Sequence, residues 1–177
     1  MRSLFKTTTR AQRLTRTALL SAFGLVMFLF EAKLPRPLPW AKPGLANIAT
    51  LLALYTLGAR SAWAVTLIRI TVGSFVLGTF FSPGFWLSFA GGVCSCGVMI
   101  VLQRYAGRWF SVIGLSLAGA LAHVLAQITL AALFLVQRFE VINLLPLMLW
   151  PSFIAGLIVG AAAFFLLERW AAPLAKV

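Results

Sequence analysis

A succession of long apolar runs constrains this chain more than any other feature. The runs cover about 17–34, 44–58, 62–81, 85–102, 111–136 and 146–167, and Gly, Pro or basic residues separate them. A helix needs roughly 20 mostly apolar residues to cross a bilayer. In lipid the backbone must satisfy its own hydrogen bonds, so such runs fold as helices. The expected fold is an all-α integral membrane protein, a bundle of about six transmembrane helices. The second run is short for a span. Pro146 suits the first turn of the last helix, where its missing N–H costs nothing. Pro151 lies deeper and is expected to kink it. The chain divides into a basic segment at 1–16, one membrane domain at 17–170 and a short tail at 171–177.

Composition removes the alternatives. Of 177 residues, 62% are hydrophobic and 10% charged. A soluble domain has about 45–50% apolar and about 25% charged residues, so a soluble globule is excluded. The net charge of +12 raises the question of nucleic acid. The basic residues lie between apolar runs, not on a polar surface, so nucleic acid is not an expected partner. The three acids are all Glu, with no Asp in the chain. That leaves no Asp-rich magnesium site, no aspartyl nucleophile and no EF-hand. No GxxxxGK[ST] motif is present for a nucleotide. Cys94 and Cys96 point roughly 200° apart on a helix, so they do not bridge each other. Two sulfurs alone make no metal site, and their expected role is packing. No cofactor, metal or catalytic residue is expected.

Charge sets the orientation. With the N-terminus inside, the inner side carries Arg2, Lys6, Arg10, Arg13, Arg16, Arg60, Arg104, Arg108, Arg169 and Lys176. The outer side carries Lys33, Arg36, Lys42 and Arg138. The positive-inside rule then puts both termini in the cytoplasm. A cleaved signal peptide competes for the first run. The residues after that run, Phe30-Glu31-Ala32-Lys33, lack small residues at both cleavage positions, which favours a retained span. The outer loop before the second run stays unusually basic, and this marks it as functional.

Several polar residues inside the runs need partners. Arg69 lies within the third run, where a central Arg costs about 2.5–3.5 kcal/mol on the lenient insertion scale. Glu31 is the only acid inside a run. The rise of 1.5 Å per residue sets it about 10 Å from Arg69 in depth, an awkward pairing. Arg69 is expected either to snorkel inward or pair structurally, or to face a cavity or anionic ligand. Ser116, Ala120, His123 and Gln127 share one helical face, expected to point into the bundle. His123 is either a hydrogen-bonded interior residue or a ligand-binding or proton-handling one. Ser88, Gly91, Gly92, Ser95 and Met99 form a second small and polar face. Lys42-Pro43-Gly44-Leu45-Ala46-Asn47 opens the second run, where free N–H groups and Lys42 suit an anionic group. The alternative for Lys42 is an interfacial anchor. These faces are expected to line a cavity open to the outside, with Trp40, Phe85 and Trp86 as its cap or as an aromatic belt. Ala18 and Ala22, and Gly156 and Gly160, are spaced for close helix contact, within the chain or with a partner.

These residues carry a resemblance. Lys42-Pro-Gly-Leu-Ala-Asn47, Arg69, Ser88-Phe-Ala-Gly-Gly92, Ser95, Met99, Phe110-Ser111-Val-Ile-Gly114, Ser116, Gly119-Ala120, His123 and Gln127 follow in the order seen in the Gx transporter family. That family is also labelled heptaprenyl diphosphate synthase component I. The likeness runs from about 17 to 168, and Val124 stands where Asn is expected. The family resembles the substrate-binding S components of energy-coupling factor (ECF) vitamin transporters. The resemblance implies six helices and a small molecule entering from outside between the first, second, fifth and sixth. It implies ligand-binding roles for Lys42, Asn47, Arg69, Ser95, His123 and Gln127. It also implies contact through Ala18 and Ala22 with a coupling transmembrane subunit, beside a separate ATPase. The family label implies a different role, a non-catalytic membrane subunit partnered by a soluble prenyl diphosphate synthase. The chain itself lacks the carboxylates that would hold a diphosphate through magnesium.

Overall fold

The structure is a computed structural model that describes residues 9–33, 44–137 and 139–171. Six α-helices follow one another: α1 (Arg10–Lys33), α2 (Asn47–Thr56), α3 (Ala59–Val76), α4 (Pro83–Ala106), α5 (Val112–Leu130) and α6 (Leu145–Ala171). A π-helical turn (Ala131–Leu135) and a 3-10 helix (Phe139–Leu144) connect the last two. No strand occurs among the described residues. Four helical stretches are long and apolar enough to cross a membrane: Arg10–Lys33, Pro83–Ala106, Val112–Leu135 and Glu140–Arg169.

The second run takes a different part. At 1.5 Å per residue its 10 residues extend about 15 Å, half the hydrocarbon thickness. Its residues from Asn47 to Leu54 are all buried. A helix apolar on every side belongs inside a core, and α2 packs on α1, α3 and α6. Around it, α1 packs on α3, α3 on α4, α4 on α5 and α5 on α6. The main core therefore gathers on α2, with Leu51 and Leu52 against Leu20, Val65, Met99, Leu115 and Val159.

The polarity of the bundle is reversed relative to a soluble protein. Phe75, Phe134, Trp150 and Phe165 are exposed, while Glu31, Asn47, Thr50, Thr66, Arg69, Ser95 and Gln127 are buried. Apolar surface on this scale would be an aggregation hazard in water and is the natural outer face in lipid. This is the construction of a multi-pass membrane protein.

Local chemistry fixes the corners. Gly58 has φ 90°, a region that side chains other than Gly seldom enter. Its N–H donates to Ala53 O at 2.9 Å to close α2, and its carbonyl accepts from Ser61 N and Ala62 N to open α3. α1 is tied to this corner. Arg13 Nη2 donates to Leu57 O at 2.9 Å, and Thr17 Oγ1 to Ser61 Oγ at 3.1 Å. Ser82 Oγ caps α4 by accepting from Phe85 N at 3.3 Å, with Pro83 as its first residue. Ser111 Oγ caps α5 by accepting from Gly114 N at 3.1 Å.

The two small-residue pairs separate. A Cβ on Gly160 would stand 2.8 Å from Ile113 Cα, and one on Gly156 3.1 Å from Ala120 Cβ. The α6 pair therefore serves packing against α5. Ala18 and Ala22 are exposed on α1.

Candidate functional site

Arg69 builds the site from the middle of α3. Gly24 of α1 lies beside its stem, where an added Cβ would meet Ala49 Cβ at 3.0 Å and Arg69 Cδ at 3.5 Å. The guanidinium reaches the start of α2, and Nη2 donates a short hydrogen bond to Asn47 Oδ1. Arg69 is only 4% exposed, and its Nε–H has no hydrogen-bond partner among the described residues. A buried charged donor without an acceptor is costly.

Glu31 comes from the last turns of α1 and is 2% exposed. Its Oε1 accepts from Ala46 N at 3.2 Å in the interior. Ala46 immediately precedes α2, whose cap position supplies no side chain of its own. A carboxylate there meets an orphan N–H and the positive end of the helix dipole. The expectation that the opening of α2 offers its N–H groups to an outside anion is thus corrected at Ala46, because Glu31 takes that donor. Lys42 lies outside the described residues.

The depth argument against Glu31 also fails. Thr17 and Ser61 are level, so Glu31 stands about 21 Å and the Arg69 backbone about 12 Å from that level. The side chain bridges much of this difference by running away from the α2–α3 corner. Arg69 does not snorkel toward the end that holds the α1 N-terminus. It turns toward the opposite end, where Glu31 and Asn47 wait.

His123 of α5 closes the fourth side. A Cβ on Gly91 of α4 would fall 2.7 to 2.8 Å from three atoms of the imidazole. The ring thus lies on bare α4 backbone, and only Gly allows that approach without displacement. Glu31, Asn47, Arg69, His123, Ser88, Gly44, Phe28 and Ile70 line one chamber, with about 300 Å³ of empty space including its mouth. That figure takes in open solvent; the room for a water-sized body is about 20 Å³, enough for a water and well short of a ligand pocket. Phe28 and Ile70 belong to an apolar cluster with Ala46 and Phe85, which backs the chamber. Phe85 is therefore core, while Trp86 is 45% exposed and faces outward. Trp40 lies outside the described residues.

Of the site residues expected from sequence, Asn47, Arg69 and His123 come together here. Ser95 and Gln127 are buried but do not line the chamber. Ser95 is seven residues beyond Ser88 on α4, about 10 Å along the axis. It lies where a Cβ on Gly119 would stand, 3.0 Å away. Gln127 is one turn beyond His123. Val124, the departure from the family pattern, is buried against Ile128 and Met148, so it faces away from the chamber. The walls come from α1 to α5. α6 packs on α5 and α2, and none of its described residues lines the chamber. Glu31, Ser88, Phe28 and Ile70 were not singled out as site residues. For Glu31 the signal was available, since it is the one acid and Arg69 the one base set deep in the runs.

Deeper in the bundle, Thr50 and Thr66 share a hydrogen bond at 2.9 Å, and Cys96 sits beside Thr66. Cys94 is exposed and Cys96 buried, both as free thiols. No group of three or more His, Cys, Asp or Glu suited to a metal occurs among the described residues.

The fold and the chamber define a helical membrane protein with an ionisable pocket at the end of the bundle remote from the α1 N-terminus. The sequence matches the family described as heptaprenyl diphosphate synthase component I over residues 20–166. That is most of the chain, and the protein belongs to this family. No curated protein matches it, and no solved structure does.

Proposed function

We propose that the protein is a membrane solute-binding component of the S-component type, with six membrane-embedded helices and both termini in the cytoplasm of a bacterial cell. A small molecule enters the chamber from outside and contacts Asn47, Arg69 and His123. Lys42 also serves the ligand, and Ser95 and Gln127 act in a deeper or adjoining wall when the helices move. The exposed Ala18 and Ala22 meet a coupling membrane subunit, and a separate ATPase supplies energy. The observation that carries this reading is Arg69. It is a buried charge facing a chamber with a donor left over among the described residues, and ionisable groups inside membrane proteins mark solute and ion sites.

The test is mass spectrometry of small molecules released by denaturing the purified protein. One solute should be enriched in the wild type and lost in Arg69→Gln. Equal recovery from both proteins would refute the site.

The family description supports a second reading. There the chain is a non-catalytic membrane partner of a soluble prenyl diphosphate synthase. Deleting the protein should then shorten or deplete the prenyl chains of membrane quinones without any change in solute uptake. Unchanged quinone chains would refute it.

A further inference from the structure

The size and charge of the chamber select its resident guest. We infer that one ordered water sits in it, accepting a hydrogen bond from Arg69 Nε–H and donating to Glu31 and Ser88, so that α1, α3 and α4 are joined through it. This goes beyond solute binding and holds with or without it. The room for a water-sized body is about 20 Å³. One water needs about 10–15 Å³ on that measure, so the chamber takes one and not two. Phe28 and Ile70 line the same space and offer a second water no hydrogen bond. The charge is balanced as well. Glu31 offsets Arg69, and both line the chamber. A sodium ion would meet the Arg69 charge, and a chloride the Glu31 charge, in a poorly screened site where like charges repel strongly. A neutral guest meets neither penalty.

The polar atoms suit a water. Arg69 is 4% exposed, and its Nε–H has no acceptor among the described residues. The neighbouring Nη2 is fixed on Asn47 Oδ1, so the guanidinium cannot turn to find an acceptor without breaking that bond. Acceptors for the two protons of the water stand in the same wall. The Glu31 carboxylate has about four lone-pair sites, and Ala46 N uses one of them on Oε1 at 3.2 Å. The Ser88 hydroxyl donates to Gly84 O at 2.8 Å, so its oxygen meets a further partner as an acceptor. That makes about three bonds, the usual complement of a buried water. It also removes the cost of a buried donor without an acceptor. A solute that reaches Arg69 has to displace this water and replace its bonds.

The experiment is NMR of the full-length protein, carrying isotope-labelled arginine, in lipid nanodiscs. The Arg69 Nε–H resonance is the one lost in Arg69→Lys. It should show a cross-peak to water whose sign in the rotating frame is that of close contact, not of proton exchange. Ser88→Val removes an acceptor and adds a methyl group to the chamber wall. In that variant the cross-peak should vanish while the Nε–H resonance persists. If Arg69→Lys does not fold, a density map of the wild type at about 2 Å or better decides, and it should show a single water peak about 2.7–3.2 Å from Arg69 Nε. A wild-type resonance with no water cross-peak would overturn the inference. So would a cross-peak undiminished in Ser88→Val, or a map in which a protein oxygen accepts the Nε–H.

Discussion

Gly91→Ala probes the join between α4 and His123. The added methyl would stand 2.7 to 2.8 Å from the imidazole, well inside van der Waals contact. Forcing extra atoms into a packed site costs about 1–3 kcal/mol. Ala is also a better helix former than Gly by about 1 kcal/mol, which offsets part of the cost. The single variant should therefore lose about 0–2 kcal/mol. In a His123→Ala background the clash is gone, and the same substitution should stabilise by up to about 1 kcal/mol. The double-mutant cycle then has a coupling of about 1–3 kcal/mol, well above the error for independent sites. Thermal unfolding of the four purified proteins measures it, at about 2–4 °C per kcal/mol for a chain of this size. If Gly91→Ala stabilises equally in both backgrounds, the imidazole does not lie on α4 and the chamber's fourth wall is misplaced.

Other substitutions test the remaining walls. Glu31→Ala removes the partner of Ala46 N and a countercharge to Arg69. It should cost about 3–5 kcal/mol, the range for breaking a buried charge arrangement, whereas Glu31→Gln keeps an acceptor and should cost less in the same unfolding assay. Thr50→Val leaves Thr66 short of one partner and should cost about 1–3 kcal/mol, with the Thr50→Val, Thr66→Val pair closer to neutral. Ala18→Leu with Ala22→Leu should leave the stability within about 0.5 kcal/mol of wild type, since both positions are exposed. If those alanines meet a coupling subunit, copurification of that subunit should fall sharply in the same variant. Gly160→Leu should destabilise strongly because α5 backbone occupies the space, and retention of wild-type stability would refute the α5–α6 packing.

Much of the bundle was legible because lipid enforces a simple rule. Apolar runs longer than about 18 residues become helices, and α1, α4, α5 and α6 follow it closely. The run at 44–58 resisted that rule. Its apolar residues read equally as a short span or a core helix, and only the tertiary packing of α2 decides. The site was half legible. Arg69, Asn47 and His123 stood out because polar groups in apolar runs demand partners. Glu31 escapes the sequence because counting rise along straight helices ignores the length and direction of an Arg side chain. Ser95 and Gln127 share helical faces with chamber residues, but a face continues along the helix well beyond a pocket. Gly24 gives no sign of its role, and Gly91 reads only as part of a small face, because a glycine's purpose depends on which neighbour fills the missing Cβ.

The central claim is a solute chamber entered from the outside. Ser88→Cys in a Cys94→Ala, Cys96→Ala background measures it most directly, using a membrane-impermeant maleimide on right-side-out and inside-out vesicles. The account expects labelling from the outside only. Labelling from the cytoplasmic face would contradict it.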